Sequence, residues 1–140
     1  MRSYVRGLIA TTLVLAIPLG GCDSTPQESS PPITVSGTVT CSSQAPVAGI
    51  WIAATKGQDD SDFALWQTPD TNKPWIATYQ YELPHGGTYN VHVGCGQDPT
   101  NQKEWVNENW SKEAVSGTNN SFICDDPLAN QGVGICRRVE

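Results

Sequence analysis

Apolar and polar residues alternate with a period of two over four stretches of the chain. In Val35-Ser36-Gly37-Thr38-Val39-Thr40-Cys41, Val35, Val39 and Cys41 share one face. In Ile50-Trp51-Ile52-Ala53-Ala54, Ile50, Ile52 and Ala54 share one face and Trp51 takes the other. Trp75 to Leu83 places Trp75, Tyr79, Tyr81 and Leu83 together, and Tyr89 to Cys95 does the same for Tyr89, Val91, Val93 and Cys95. A period of two with β-branched and aromatic residues predicts half-buried strands. The segments between them are turn formers: Ala45-Pro46, Gly57, Pro69-Asp70, Pro84-His85-Gly86-Gly87 and Gly94 to Pro99. Proline presets φ and glycine accepts positive φ, so these are places where the chain reverses. A weak helical stripe from Trp105 to Val115 allows one or two turns of helix. Short strands with turn-rich links predict an all-β fold, a small Ig-like β-sandwich over residues 33–140.

Cysteines refine that picture. Beyond Cys22 there are four, Cys41, Cys95, Cys124 and Cys136. An even count in a small extracytoplasmic domain predicts two disulfides, with three possible connectivities. Parity favours one of them, because Cys41 and Cys95 both face inward at the ends of core strands, leaving Cys124 to pair with Cys136. Zinc is the competing account, but no pair has Cys-x-x-Cys spacing and neither His85 nor His92 lies at finger distance from a cysteine.

The N-terminus reads as an address. Arg2 and Arg6 precede an uncharged apolar run from Leu8 to Leu19, twelve residues, which is short of the roughly 20 a spanning helix needs. Leu19-Gly20-Gly21-Cys22 then resembles the lipobox of bacterial lipoprotein precursors. The resemblance implies that residues 1–21 are a cleaved signal peptide and that Cys22 becomes the mature N-terminus. It further implies that Cys22 carries diacylglycerol with fatty acyl chains such as palmitate, holding the protein on the extracytoplasmic face of the cell membrane. An ordinary signal peptide leaving Cys22 as a free thiol is the alternative. Residues 22–32, rich in proline and serine and without a large apolar side chain, form a flexible tether.

The full chain has a formal net charge of −6, and loss of residues 1–21 removes Arg2 and Arg6 but no acid, which takes it to −8. Such a surface repels nucleic acid and anionic head groups, so membrane affinity would come from the lipid. The 108 residues from Ile33 to Glu140 suffice for one domain with a modest core.

Three strings resemble a second family, the carboxypeptidase regulatory-like or prealbumin-like β-sandwich. They are Val35-Ser-Gly-Thr-Val-Thr, Ala45-Pro-Val-Ala-Gly-Ile-Trp-Ile, and Tyr81-Glu-Leu-Pro-His-Gly-Gly-Thr-Tyr-Asn-Val-His-Val. The match runs from about Ile33 to Cys95, with no visible pattern between Ala54 and Trp75. The four cysteines and the C-terminal third depart from it. Members of that family are mostly non-catalytic surface, adhesive or enzyme-accessory modules, and the resemblance implies the same here. An intramolecular Lys–Asn isopeptide bond, as in related surface sandwiches, is excluded by the absence of lysine from the early strands.

Candidate chemistry is sparse. A nucleophile needs a positioned base, and of the two histidines His85 lies in a turn and His92 on an outward position, where a surface role is expected for both. Asp59, Asp60 and Asp62, with Asp125 and Asp126, offer oxygen ligands, but no Asp-x-Asp-x-Asp-Gly loop frames them, so neither metal nor cofactor is expected. Asn109-Trp110-Ser111 and Asn119-Asn120-Ser121 have the form of glycosylation sequons, which a bacterial lipoprotein would not use. Five tryptophans are the stronger lead, since Trp51 and Trp110 fall where polar residues belong. Trp51, Trp105 and Trp110 are candidate ligand contacts, because exposed aromatics stack on sugars or anchor protein partners. The competing expectation is that all five tryptophans serve packing. Together these features predict a non-catalytic, lipid-anchored envelope module that binds a glycan or a surface protein. The alternative is an enzyme accessory or inhibitor acting through a loop at 96–110.

Overall fold

A computed structural model of the chain describes residues 30–97, 105–125 and 135–139. The signal peptide, the lipidation position Cys22, most of the tether, Asp126 and the centre of the 96–110 segment lie outside the described residues.

The four alternating stretches are strands. They are β1 (Ile33–Cys41), β2 (Val47–Ala54), β5 (Ile76–Leu83) and β6 (Tyr89–Gln97). Between β2 and β5, after one 3-10 turn at Gln58–Asp60, come the short β3 (Asp62–Phe63) and β4 (Leu65–Gln67). The C-terminal third supplies β7 (Trp105–Ser111), β8 (Ser121–Cys124) and β9 (Ile135–Val139). Most inward residues assigned from parity are the core: Val35, Val39, Cys41, Ile50, Ile52, Leu83, Tyr89, Val91, Val93 and Cys95 are fully buried and Tyr79 nearly so, while Ala54, Trp75 and Tyr81 are partly buried and pack against its margin. Gly86 and Gly87, in the β5–β6 turn, have φ of 59° and 91°, a region glycine enters without a steric penalty.

The nine strands form one sheet, in the order β3-β2-β6-β7-β9-β8-β1-β5-β4. This differs from the expected sandwich. A sandwich needs two sheets, and here β8 and β9 join them, because β8 runs parallel to β1, β9 runs parallel to β7, and the two pair antiparallel with each other. The sheet curls into a nearly closed barrel. Closure depends on one short segment: Asp62–Gln67 forms both edges, with β3 paired to β2 and β4 to β5. Ala64 between them is buried and its amide donates to the Ile50 carbonyl at 2.9 Å, so the segment crosses the seam while still bonded to the sheet.

Both disulfides have the connectivity that parity favoured. Cys41 is bonded to Cys95, joining β1 to β6 through the interior, and Cys124 to Cys136, joining the hairpin partners β8 and β9. The weak helical stripe at 105–115 is corrected, because Trp105–Ser111 is a strand. Its inward positions carry Asn109 and Ser111, both buried, while Val106 and Trp110 face outward. Asn109 Nδ2 donates to the Val93 carbonyl at 3.3 Å, and Ser111 Oγ accepts from the Val91 amide at 3.1 Å, so side-chain bonds offset part of the cost of polar groups inside, while Asn109 Oδ1 is buried without a partner. A second buried network ties the core to the 116–120 turn: Tyr79 OH donates to the Asn120 carbonyl at 2.8 Å, and Asn120 Nδ2 donates to Tyr89 OH at 2.9 Å.

Candidate functional site

The outer face of the adjacent strands β3, β2, β6 and β7 carries a continuous row of rings. Register sets it, since Trp51 lies opposite Phe63 on one side and His92 on the other, and His92 lies opposite Trp110. The ring contacts form two pairs that Trp105 links. Trp51 meets Phe63 edge to face at 5.0 Å, and His92 stacks on Trp110 at 3.7 Å with 16° between planes. Trp105 completes the group, 4.9 Å from His92 and 6.1 Å from Phe63.

Trp105 is seated on bare backbone. Gly49 and Gly94 are register partners on this face, and a Cβ on them would come within 2.6 Å and 2.2 Å of the Trp105 indole. Any larger residue at either position would displace the ring. The end rings of the row are the most exposed, Phe63 at 56% and Trp110 at 43%, while Trp51, Trp105 and His92 between them are half-buried. All three candidate tryptophans thus stand in one surface patch. Trp51, whose polar-side position predicts a largely accessible indole, does face outward but is half-buried, because Phe63 packs against it in a T-shaped contact. Trp66, on the far edge strand β4, and Trp75, packed against the core, do not join the group.

His92 does point outward, yet it is not a free surface histidine. Two indoles cover its ring, leaving 15% of the side chain exposed. Burial lowers its pKa below the ordinary 6.5, partly offset by the Glu108 carboxylate at 3.5 Å. That distance is an ion-pair contact and too long for a sound hydrogen bond, so Nε2 is buried without a hydrogen-bond partner. The strands of this patch contain two carboxylates, Asp62 and Glu108, and neither lysine nor arginine. The outward parity of His92 is the only sequence signal for its place in the patch, and Phe63 has none, because a two-residue strand leaves no periodicity to read.

Other chemistry-bearing groups serve the scaffold. His85 Nδ1 donates to Asp60 Oδ2 at 2.7 Å, and Tyr81 OH donates to the Asp60 carbonyl, which ties the 3-10 turn to the β5–β6 turn. Asp62 Oδ1 accepts from the Phe63 amide at 2.7 Å. Among the described residues no three His, Cys, Asp or Glu side chains converge on a metal position. A cavity of about 450 Å³ lies where β7 meets β8 and β9, with Phe122 and Val115 in its wall and Lys112, Glu113 and Arg138 around it. The loop expected at 96–110 shrinks, because Gly96 and Gln97 belong to β6 and Trp105–Trp110 to β7. Asn109, the first sequon asparagine, is wholly buried. Comparison with protein-family profiles, curated proteins and solved structures finds no match, so geometry alone bears on function.

Proposed function

We propose that this chain is a non-catalytic, lipid-anchored protein of the cell envelope whose β domain binds a glycan or protein partner. One observation carries the binding reading: five rings from four neighbouring strands share one outward surface. A sheet gains little by placing Trp110 and Phe63 in water, and contiguous exposed aromatics mark interaction sites in soluble domains. The lipobox-like Leu19-Gly20-Gly21-Cys22 supports the anchor and the extracytoplasmic location. The strings that resemble the prealbumin-like module fall on β1, β2, β5 and β6, and we read the domain as a variant of it in which β8 and β9 bridge the two sheets. An accessory or inhibitor acting through 96–110 has less support, since most of that segment is strand.

The test is a glycan array and a pull-down from an envelope extract, each run with the wild-type chain and with Trp110→Ala. A partner retained by the wild type and lost by the variant is expected. Equal capture by both would refute the strip as the binding surface.

A further inference from the structure

Resting on the binding role just proposed, we infer that the aromatic strip takes a neutral oligosaccharide chain laid across the strands, with one ring stacking on Phe63 and another on Trp110. The row spans three inter-strand gaps, about 14 Å at roughly 4.8 Å each. Its most exposed rings are the two ends, so the strongest contacts are separated by more than one sugar ring. The middle rings are half-buried against each other and against the Gly49–Gly94 backbone, which fixes the platform before any ligand arrives. A sugar has C–H faces for stacking and a rim of hydroxyls for acceptors, and Glu108, 61% exposed beside the strip, supplies a carboxylate acceptor, while Asp62, opposite Ile52 and so on the other parity, adds only negative charge at the strip's edge. These carboxylates, with no lysine or arginine on the four strands and an acidic chain overall, disfavour an anionic glycan.

Tryptophan fluorescence of the full chain in detergent should be titrated with cellohexaose and chitohexaose. Glucose and N-acetylglucosamine serve as single-ring probes and hexagalacturonate as the anionic one. At least one neutral hexasaccharide should bind, and its monosaccharide and hexagalacturonate should bind at least about tenfold more weakly. Phe63→Ala and Trp110→Ala should each weaken hexasaccharide binding by at least about tenfold. Leu65→Ala, an 81% exposed residue on β4 outside the strip, should leave it unchanged. Urea midpoints of both strip variants should match the wild type, which separates lost contact from lost fold. Absence of binding by both hexasaccharides, equal binding of the single sugar, or indifference to both substitutions overturns the inference. A protein captured from an envelope extract through Trp110, with no hexasaccharide binding, overturns this inference and leaves the general binding role standing. Failure of both overturns the two together.

Discussion

At Gly49 and Gly94 the outer face of the sheet has no side chain, and the indole of Trp105 occupies the space. Gly94→Ala places a methyl group 2.2 Å from Trp105 Cδ2, which the ring cannot accept in place. We expect a loss of about 1 to 3 kcal/mol from overpacking and a red-shifted tryptophan emission as the ring lifts into water. Urea unfolding followed by fluorescence measures both, and an unchanged spectrum would contradict the seating of Trp105. His92 adds a pH dependence. Its pKa is lowered in the folded state by burial, ahead of the opposing pull of Glu108, so the unfolded chain binds the proton more tightly. The stability it contributes is complete above pH 6.5, the ordinary value, and is lost as the pH falls from there through the lowered folded value. His92→Gln should flatten that part of the curve, and the same slope in both proteins would rule out His92 as its source.

At the scale of elements, the two bridges constrain different lengths of chain. Cys41 and Cys95 are 54 residues apart, Cys124 and Cys136 only 12. Loop-closure entropy assigns about 4 kcal/mol to the first and about 3 kcal/mol to the second. Cys41→Ala with Cys95→Ala should therefore lower stability more than Cys124→Ala with Cys136→Ala in urea unfolding, and the reverse order would contradict the entropic account. The strands that could be read in the sequence are those whose buried faces are apolar. Val35, Val39, Ile50, Ile52, Val91 and Val93 mark β1, β2 and β6 plainly, and with them the facing of Cys41 and Cys95. In β7 the signal is inverted, because Asn109 and Ser111 point inward and Val106 and Trp110 outward, so the stretch resembles a weak helical stripe. β3, β4 and β8 are two to four residues long, too short for alternation to register. Without β7 and β3 the candidate tryptophans could be named singly but not assembled, and neither Phe63 nor the stacking of His92 could be foreseen.

For the whole molecule, the barrel, the tether and the proposed anchor make separable contributions. The strip is built on β3, β2, β6 and β7 of the sheet, whereas the proposed membrane attachment would rest on Cys22, given an acidic chain that anionic surfaces repel. Wild-type protein should partition into the detergent phase, whereas Cys22→Ser should stay unprocessed or be released; a fully soluble wild type beginning at Cys22 would refute the anchor. The released, signal-free form of Cys22→Ser serves the measurement that bears most directly on the binding surface: its co-sedimentation with isolated cell envelopes, with and without Phe63→Ala and Trp110→Ala together. The strip predicts that the domain sediments with envelopes and that the paired substitution abolishes this while the urea midpoint holds. Undiminished sedimentation of the substituted protein, or none by the parent, would contradict it.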